Sequence, residues 1–552
     1  MKPDFRPRTI IVISFLLACC FFSTLTQACG GFFCQFAPID QAGEQIVFKQ
    51  EGDSVTALVL IQYQGEAKDF SWVLPVPGIP ELKVGSELIF SPLELATRPQ
   101  FELKRTGEAC PSQSDFTSDA PAESNTDQSD DKSGVTILQT VSVGPFDAQI
   151  ITSDDANALA NWLQKNNFDL TDRGQTLIKP YVDEGMNFVT LKLSQNQGVG
   201  DIQPLLMKYT SATPMIPIRL TAVAAQPNMG IIVWLLGSAR AIPVNYLHVT
   251  PNYTRLNWYA GNLSAYSSYQ TLITAAMDEA GGQGFATDYA GTDLDYLSQL
   301  PTAKQLTDTL SDLASISSPA LFLASLFNEA NFPSGKRLES FLRNLPTDNS
   351  SPASVYGSSI NLDAQYSLEN LESARTQIVT ELEDKVITPL TDSLAMFDKN
   401  LYLSRLYTTL SPEEMTLDPV FDFNQELTEQ ALVRQATLQS QCLNNESFWT
   451  LTLGPGTGRE GDVVIEAVSE PPVFGLPGID QLAVWRSEKM KNSGSPEIVT
   501  ENQFASFEIG NVAEFRQLAN NDDDSSKGLF GAALSSLSLG LLLLMWIRRN
   551  KR

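Results

Sequence analysis

The chain carries one histidine, His248, so neither a His-Glu-x-x-His zinc helix nor any multi-histidine metal site can be built from it. A serine triad would have to recruit that same residue. Its neighbours Tyr246, Leu247 and Val249 suit a buried strand better than a mobile base, and no Gly-x-Ser-x-Gly elbow accompanies it. Ser129-Asp130-Asp131-Lys132 matches Ser-x-x-Lys, but it sits in a stretch too polar to hold a nucleophile rigidly. Gly454-Pro455-Gly456-Thr457-Gly458 has the glycines of a phosphate loop without the Lys-Ser or Lys-Thr that should follow, and reads as a hairpin turn. Carboxylates remain. Asp288, Asp293 and Asp295 follow the turn Gly281-Gly282-Gln283-Gly284 and are the metal-ligand candidates, with calcium the fitting ion. Glu413, Glu414 and Asp418 form a second cluster, and either cluster could bind calcium or support acid–base work. Helix capping and solvated loops compete with both readings: Ser411-Pro412-Glu413-Glu414 has the order of an N-cap, a first-position proline and first-turn acids. No residue is assigned a catalytic role, and no cofactor is expected.

These groups need elements to position them. Leu58 to Leu82 holds two apolar runs around the polar Gly65-Glu66-Ala67-Lys68, which predicts a β-hairpin ending in Pro75, Pro77 and Pro80. Gln45 to Phe48 and Ser54 to Ile61 add strands, as do Val135 to Val143, Ala148 to Thr152, Met186 to Leu193, Ile216 to Val223, Gly230 to Leu236 and Tyr246 to Thr250. Ser153-Asp154-Asp155 offers an N-cap ahead of a predicted helix over Ala156 to Lys165, with Leu159, Trp162 and Leu163 on one face. From Tyr266 the apolar period lengthens towards four, predicting helices through Ala303 to Leu313, Ala320 to Phe327, Lys336 to Leu342, and Ser367 to Leu394 with a kink at Pro389. A further helix is expected over Glu426 to Leu443 and a short strand over Val463 to Ala467.

The ends speak to location. Lys2, Arg6 and Arg8, the apolar run Ile10 to Phe22 and small residues up to Ala28 have the order of a signal peptide. Lipidation of Cys29 is the competing reading there. Gly528 to Ile547 is uncharged, long enough to cross roughly 30 Å of hydrocarbon, and followed by Arg548, Arg549, Lys551 and Arg552, which predicts a transmembrane helix with a cytoplasmic tail. A cleaved sorting tag is the alternative. The net charge of −27 repels phosphate, so nucleic acid is not an expected partner. Cys19 and Cys20 fall in the signal segment, leaving Cys29, Cys34, Cys110 and Cys442 as disulfide candidates. Three pairings exist; Cys29 with Cys34 and Cys110 with Cys442 is the favoured one.

Four strings carry a family likeness: CGGFFC at Cys29, DFSWVLPVPGIPEL at Asp69, IPIRLTAVAAQPNMGIIVWLLG at Ile216 and LYLSRLYTTLSPEEMTLDPVFDF at Leu401. Together they resemble the bacterial family known only as domain of unknown function 2330, over most of Cys29 to about Asn424. The resemblance implies an exported envelope protein, often with a C-terminal membrane segment, and brings no reaction, cofactor or catalytic residue.

The expected fold is α+β: a β-rich N-terminal half of antiparallel and mixed sheets packed with a helical second half and a single C-terminal transmembrane helix. The expected divisions are a signal peptide (1–28), a β-rich core (29–300) with a disordered insert (111–134), a helical part (301–424), an α/β extension (425–510), an acidic stalk (511–527), the membrane helix (528–547) and a basic tail (548–552). The expected function is a structural or binding module, tethered to the membrane through the C-terminal helix, facing the periplasm or exterior and engaging an envelope protein or glycan. The alternative is an envelope hydrolase, glycosidase- or peptidase-like, working through paired carboxylates.

Overall fold

A computed structural model describes residues 41–517 apart from 62–69, 109–135, 169, 196, 198–200, 260–261, 293–294, 330–341, 343–344, 348–351, 398–400, 444–445 and 469–481. The signal peptide, the Cys29–Cys34 loop, the insert and the apolar run 528–547 lie outside these residues. In chain order the strands are β1 (Gln41–Glu51), β2 (Ser54–Leu60), β3 (Ser71–Val76), β4 (Glu81–Val84), β5 (Gln100–Gly107), β6 (Thr136–Val143), β7 (Phe146–Thr152), β8 (Asn187–Leu193), β9 (Leu205–Thr210), β10 (Ala225–Gly237) and β11 (Arg240–Pro243). They continue as β12 (Leu247–Pro251), β13 (Gly284–Gly291), β14 (Tyr402–Leu410), β15 (Phe421–Asn424), β16 (Val433–Leu443), β17 (Glu446–Leu453), β18 (Val463–Val468), β19 (Val484–Lys489), β20 (Glu497–Glu501) and β21 (Phe507–Ile509).

Ten of them form one mixed sheet in the order β20-β19-β12-β13-β14-β10-β1-β2-β9-β4. Its middle strand explains the unbroken apolar run Ile231 to Leu236. Successive side chains of a strand point to opposite faces, and here both faces are covered. Ile231, Val233 and Leu235 join one core; Ile232, Trp234 and Leu236 join the other. The first core lies against the antiparallel sheet β3-β8-β7-β6, which supplies Trp72, Leu74, Phe146, Ile150 and Val189. That smaller sheet is covered on its far side by the helices Ala156–Lys165 and Asp172–Asp183, through Leu159, Leu163, Ile178 and Tyr181. The second core packs the helix Asn262–Glu279, the helices between Ala303 and Leu394, and the sheet β21-β18-β17-β16-β5.

The expected fold class needs correction in two respects. Among the described residues no helix is long and apolar enough to cross a membrane, so the C-terminal transmembrane helix is not supported. Nor is the second half helical throughout: helices occupy its first part, and from Tyr402 onward the chain returns to strands, with β14 in the middle of the large sheet. Three local expectations also fail, the first being the helix over Glu426 to Leu443, whose place is taken by strand β16 (Val433–Leu443). The runs around Gly65 to Lys68 do not pair with each other; β2 pairs with β1 and β9, while β3 pairs with β8 in the other sheet. Ile216 to Val223 is not a strand but contains the one-turn helix Ile218–Thr221.

Other local signals hold. Asp155 caps Ala156–Lys165 by accepting from the Asn157 amide at 2.8 Å. The segment from Ser367 to Leu394 is helical, and its irregularity falls at the π turn Glu383–Ile387, just before Pro389. Proline has no N–H for the carbonyl four residues earlier, and that carbonyl, Lys385 O, instead accepts from Gln203 Nε2 at 2.9 Å.

Parallel pairing of β5 with β16 sets Gly107 opposite Ser440. Cys442, two residues further along β16, is disulfide-bonded. Cys110 lies outside the described residues, three positions past Gly107. Peptide mapping of non-reduced protein is therefore expected to recover Cys110 and Cys442 in one cross-linked fragment; Cys442 joined to Cys29 or Cys34 would refute that pairing.

Candidate functional site

His248 lies on β12, directly opposite Glu488 of β19, while on its other side β12 runs parallel to β13 with His248 beside Phe285. Two residues beyond Phe285, and so on the same face as its histidine neighbour's partners, comes Thr287. Three adjacent strands thus present Glu488, His248 and Thr287 side by side. The ring Nε2 is 3.0 Å from Thr287 Oγ1, and Nδ1 is 3.4 Å from Glu488 Oε2. Each of the three is 7 % exposed, yet all line a cavity of about 300 Å³, so their small exposure is to that cavity. Its walls come from Arg240 on β11, the loop Leu427 to Gln430, the turn Gly456-Thr457-Gly458, and Trp485 with Arg486 on β19.

Burial dominates the electrostatics here. It pushes His248 below its ordinary pKa, with Arg240 and Arg486 adding to the effect against Glu488, so the ring is neutral near pH 7. Burial opposes the Glu488 carboxylate, but the adjacent His248 ring and the charges of Arg486 and Arg240 hold it below its ordinary value. Arg486 Nε lies 3.3 Å from Glu488 Oε1. Arg240 is buried and donates through Nη1 to Thr428 O at 2.9 Å, while its Nε has no hydrogen-bond partner and no carboxylate forms an ion pair with it, among the described residues. Two guanidinium groups against one inner carboxylate leave the floor positive; Glu429 stands exposed at the rim.

Behind the floor, a buried network fixes Thr287. The β13–β14 register slips between Thr287 and Tyr289, so Asp288 turns away from the cavity. Its carboxylate meets Arg405 Nε at 3.2 Å and accepts the Tyr269 hydroxyl. Arg434 Nη2 donates to Asp288 O at 2.8 Å and to Thr287 O at 3.3 Å, and Arg434 Nε donates to Tyr253 Oη at 3.2 Å.

The carboxylate candidates fall elsewhere. Asp288 is fully buried with Arg405 as counter-ion, Asp293 lies outside the described residues, and Asp295 begins the short helix Asp295–Gln299, where its side chain is not described. No cluster able to hold a metal occurs among the described residues. Glu414 Oε2 accepts from Ser411 N at 2.7 Å within a single turn. Asp418 is held by Arg219 at 2.6 Å and by the Tyr181 hydroxyl at 2.8 Å. Of these acids, Asp288, Glu414 and Asp418 each hold the fold together through separate partners. The glycine-rich connector is a hairpin turn between β17 and β18, as its sequence suggests, with Gly456 at φ +82°, a backbone that side chains rarely adopt. What the sequence did not disclose is that the turn walls the cavity.

A family model described as an uncharacterised protein conserved in bacteria, domain of unknown function 2330, matches residues 24–312. That span contains Arg240, His248 and Thr287 but neither Glu488 nor the Gly456 turn. No curated protein and no solved structure matches the chain.

Proposed function

We propose, starting from the fact that this chain belongs to the uncharacterised bacterial family domain of unknown function 2330, that it is an exported binding protein whose cavity takes a small organic carboxylate. The observation that carries this reading is Arg240: a buried guanidinium with no ion-pair partner among the described residues, lining a cavity inside a chain of net charge −27. Burying a cation that shares its one inner carboxylate, Glu488, with Arg486 is costly, and a ligand carboxylate would balance the second charge through charge-assisted hydrogen bonds. A cavity of about 300 Å³ lies at the lower end of small-molecule sites, which limits the ligand to a few carbon atoms or one acidic sugar unit. Trp485 adds an apolar wall against which a sugar ring can stack, which makes the acidic units of envelope glycans natural candidates. The basic, apolar and small-residue order of the N-terminal segment and the disulfide at Cys442 favour a location outside the cytoplasm. The carboxylate-pair hydrolase has no comparable support, since the candidate acids are tied to Arg405, Arg219 and backbone amides.

Calorimetric titration of the whole protein with glucuronate, glutarate and phosphate tests the reading. At least one of the two carboxylates should bind, and Arg240→Gln should weaken it by about 10–100-fold, the loss of one or two charge-assisted bonds. Equal affinity of the variant, or binding of neither carboxylate, would reject it.

A further inference from the structure

We infer that Thr287, His248 and Glu488 form an acyl-transfer unit that cleaves small esters within the same cavity. The geometry has the parts that hydroxyl nucleophiles need: a hydroxyl within hydrogen-bond reach of a base, and a third group orienting the base. Nε2 to Oγ1 is 3.0 Å, and Nδ1 to the carboxylate is 3.4 Å. At 3.4 Å from Glu488, Nδ1 has no hydrogen-bond partner among the described residues; with the ring proton on Nδ1, the Nε2 lone pair faces the Thr287 hydroxyl, as a general base requires. A purely structural histidine has no need of a cavity, whereas all three side chains here open onto one of about 300 Å³. Arg434 holds the backbone carbonyls of Thr287 and Asp288 from behind, so the hydroxyl sits on rigid strands rather than on a loop. Arg240 lines the cavity and supplies positive charge for a developing oxyanion.

The reaction balances without a further reagent. As Oγ1 bonds to the acyl carbon, its proton passes to Nε2. The ester C–O bond then breaks and the proton leaves with the alcohol, giving acyl-Thr287. Water next adds to the acyl carbon while Nε2 takes one of its protons. The bond to Oγ1 breaks, Nε2 returns the proton to Oγ1, and a carboxylic acid leaves, ionising in solution. The product is of the class that the binding reading assigns to the cavity, but the chemistry does not require that reading to hold.

The test uses p-nitrophenyl acetate with the whole protein. Turnover should exceed that of Thr287→Val by on the order of 100-fold, because valine keeps the shape and removes only the hydroxyl. Thr287→Ser should restore turnover, and peptide mass spectrometry of quenched wild type should find one acetyl group on the Thr287 peptide. Glu488 is a positioning residue, so Glu488→Gln should lower kcat and leave KM unchanged. Glutarate or glucuronate titration of Thr287→Val shows whether its cavity is intact and separates this proposal from the binding one. Wild-type turnover equal to that of the Thr287→Val variant, or acetylation elsewhere than Thr287, would overturn the inference.

Discussion

Asp288→Ala is expected to lower the stability of the protein by about 3–5 kcal/mol, the usual cost of breaking a buried ion pair from one side. The carboxylate and the Arg405 guanidinium are both fully buried, 3.2 Å apart, with Tyr269 donating to the same carboxylate. Burial raises the Asp288 pKa, while the Arg405 charge and the Tyr269 hydrogen bond oppose that rise. Without Asp288, Arg405 keeps the Tyr266 hydroxyl at 3.1 Å, the face of Trp234 and, as its remaining carboxylate, the more distant and partly exposed Glu94 at 4.0 Å. Replacing both partners, Asp288→Leu with Arg405→Met, should recover much of the loss, since paired apolar groups of similar volume often serve as well. Urea denaturation at constant slope measures both effects. A loss under 1 kcal/mol for Asp288→Ala would mean that the network behind Thr287 does not hold that wall in place.

Glu44→Gln should change the pH dependence of stability almost as much, in the opposite sense. Glu44 is 6 % exposed on β1, faces Ile46, Met207, Tyr209 and Pro217, and its Oε2 has no hydrogen-bond partner among the described residues. Burial raises its pKa from 4.5 to about 7. Between those values the folded chain keeps a proton that the unfolded chain has lost, so stability falls as pH rises through the window and levels off above pH 7. The total fall from this one group is about 3 kcal/mol. Glutamine cannot ionise, so its advantage over the wild type should grow by about 3 kcal/mol between pH 4.5 and pH 8. An offset independent of pH would show that the carboxyl finds a partner when ionised.

How far these groups could be read from sequence depends on the reach of the contact that fixes them. The helix at Ala156–Lys165 announces itself through a local cap and a one-sided apolar face, and β10 through a run that only a two-sided burial explains. By contrast β16 alternates in burial, but Arg434 and Ser440 are among its buried residues, so the period of two is hidden and the Gln- and Leu-rich stretch reads as helix. β13 suffers in the same way: Thr287 and Asp288 are buried polar residues, and the stretch passes for an acidic loop. The apolar runs beside Gly65 to Lys68 suit either sheet, and alternation alone does not choose a strand's neighbour. His248 was legible as a strand residue, while its two neighbours depend on registers joining β12 to β13 and to the distant β19. No linear motif records such an encounter.

The place of β14 bears on how the protein comes into being. It joins β13 to β10, both encoded far ahead of it, with residues 402–410 supplying the pairing for each. Until this strand is in place, the pair β12-β13 and the five strands from β10 to β4 lack the strand that joins them. The stretch that defines the family, 24–312, therefore ends before the molecule can close, and late synthesis, rather than early collapse, governs when a finished particle exists.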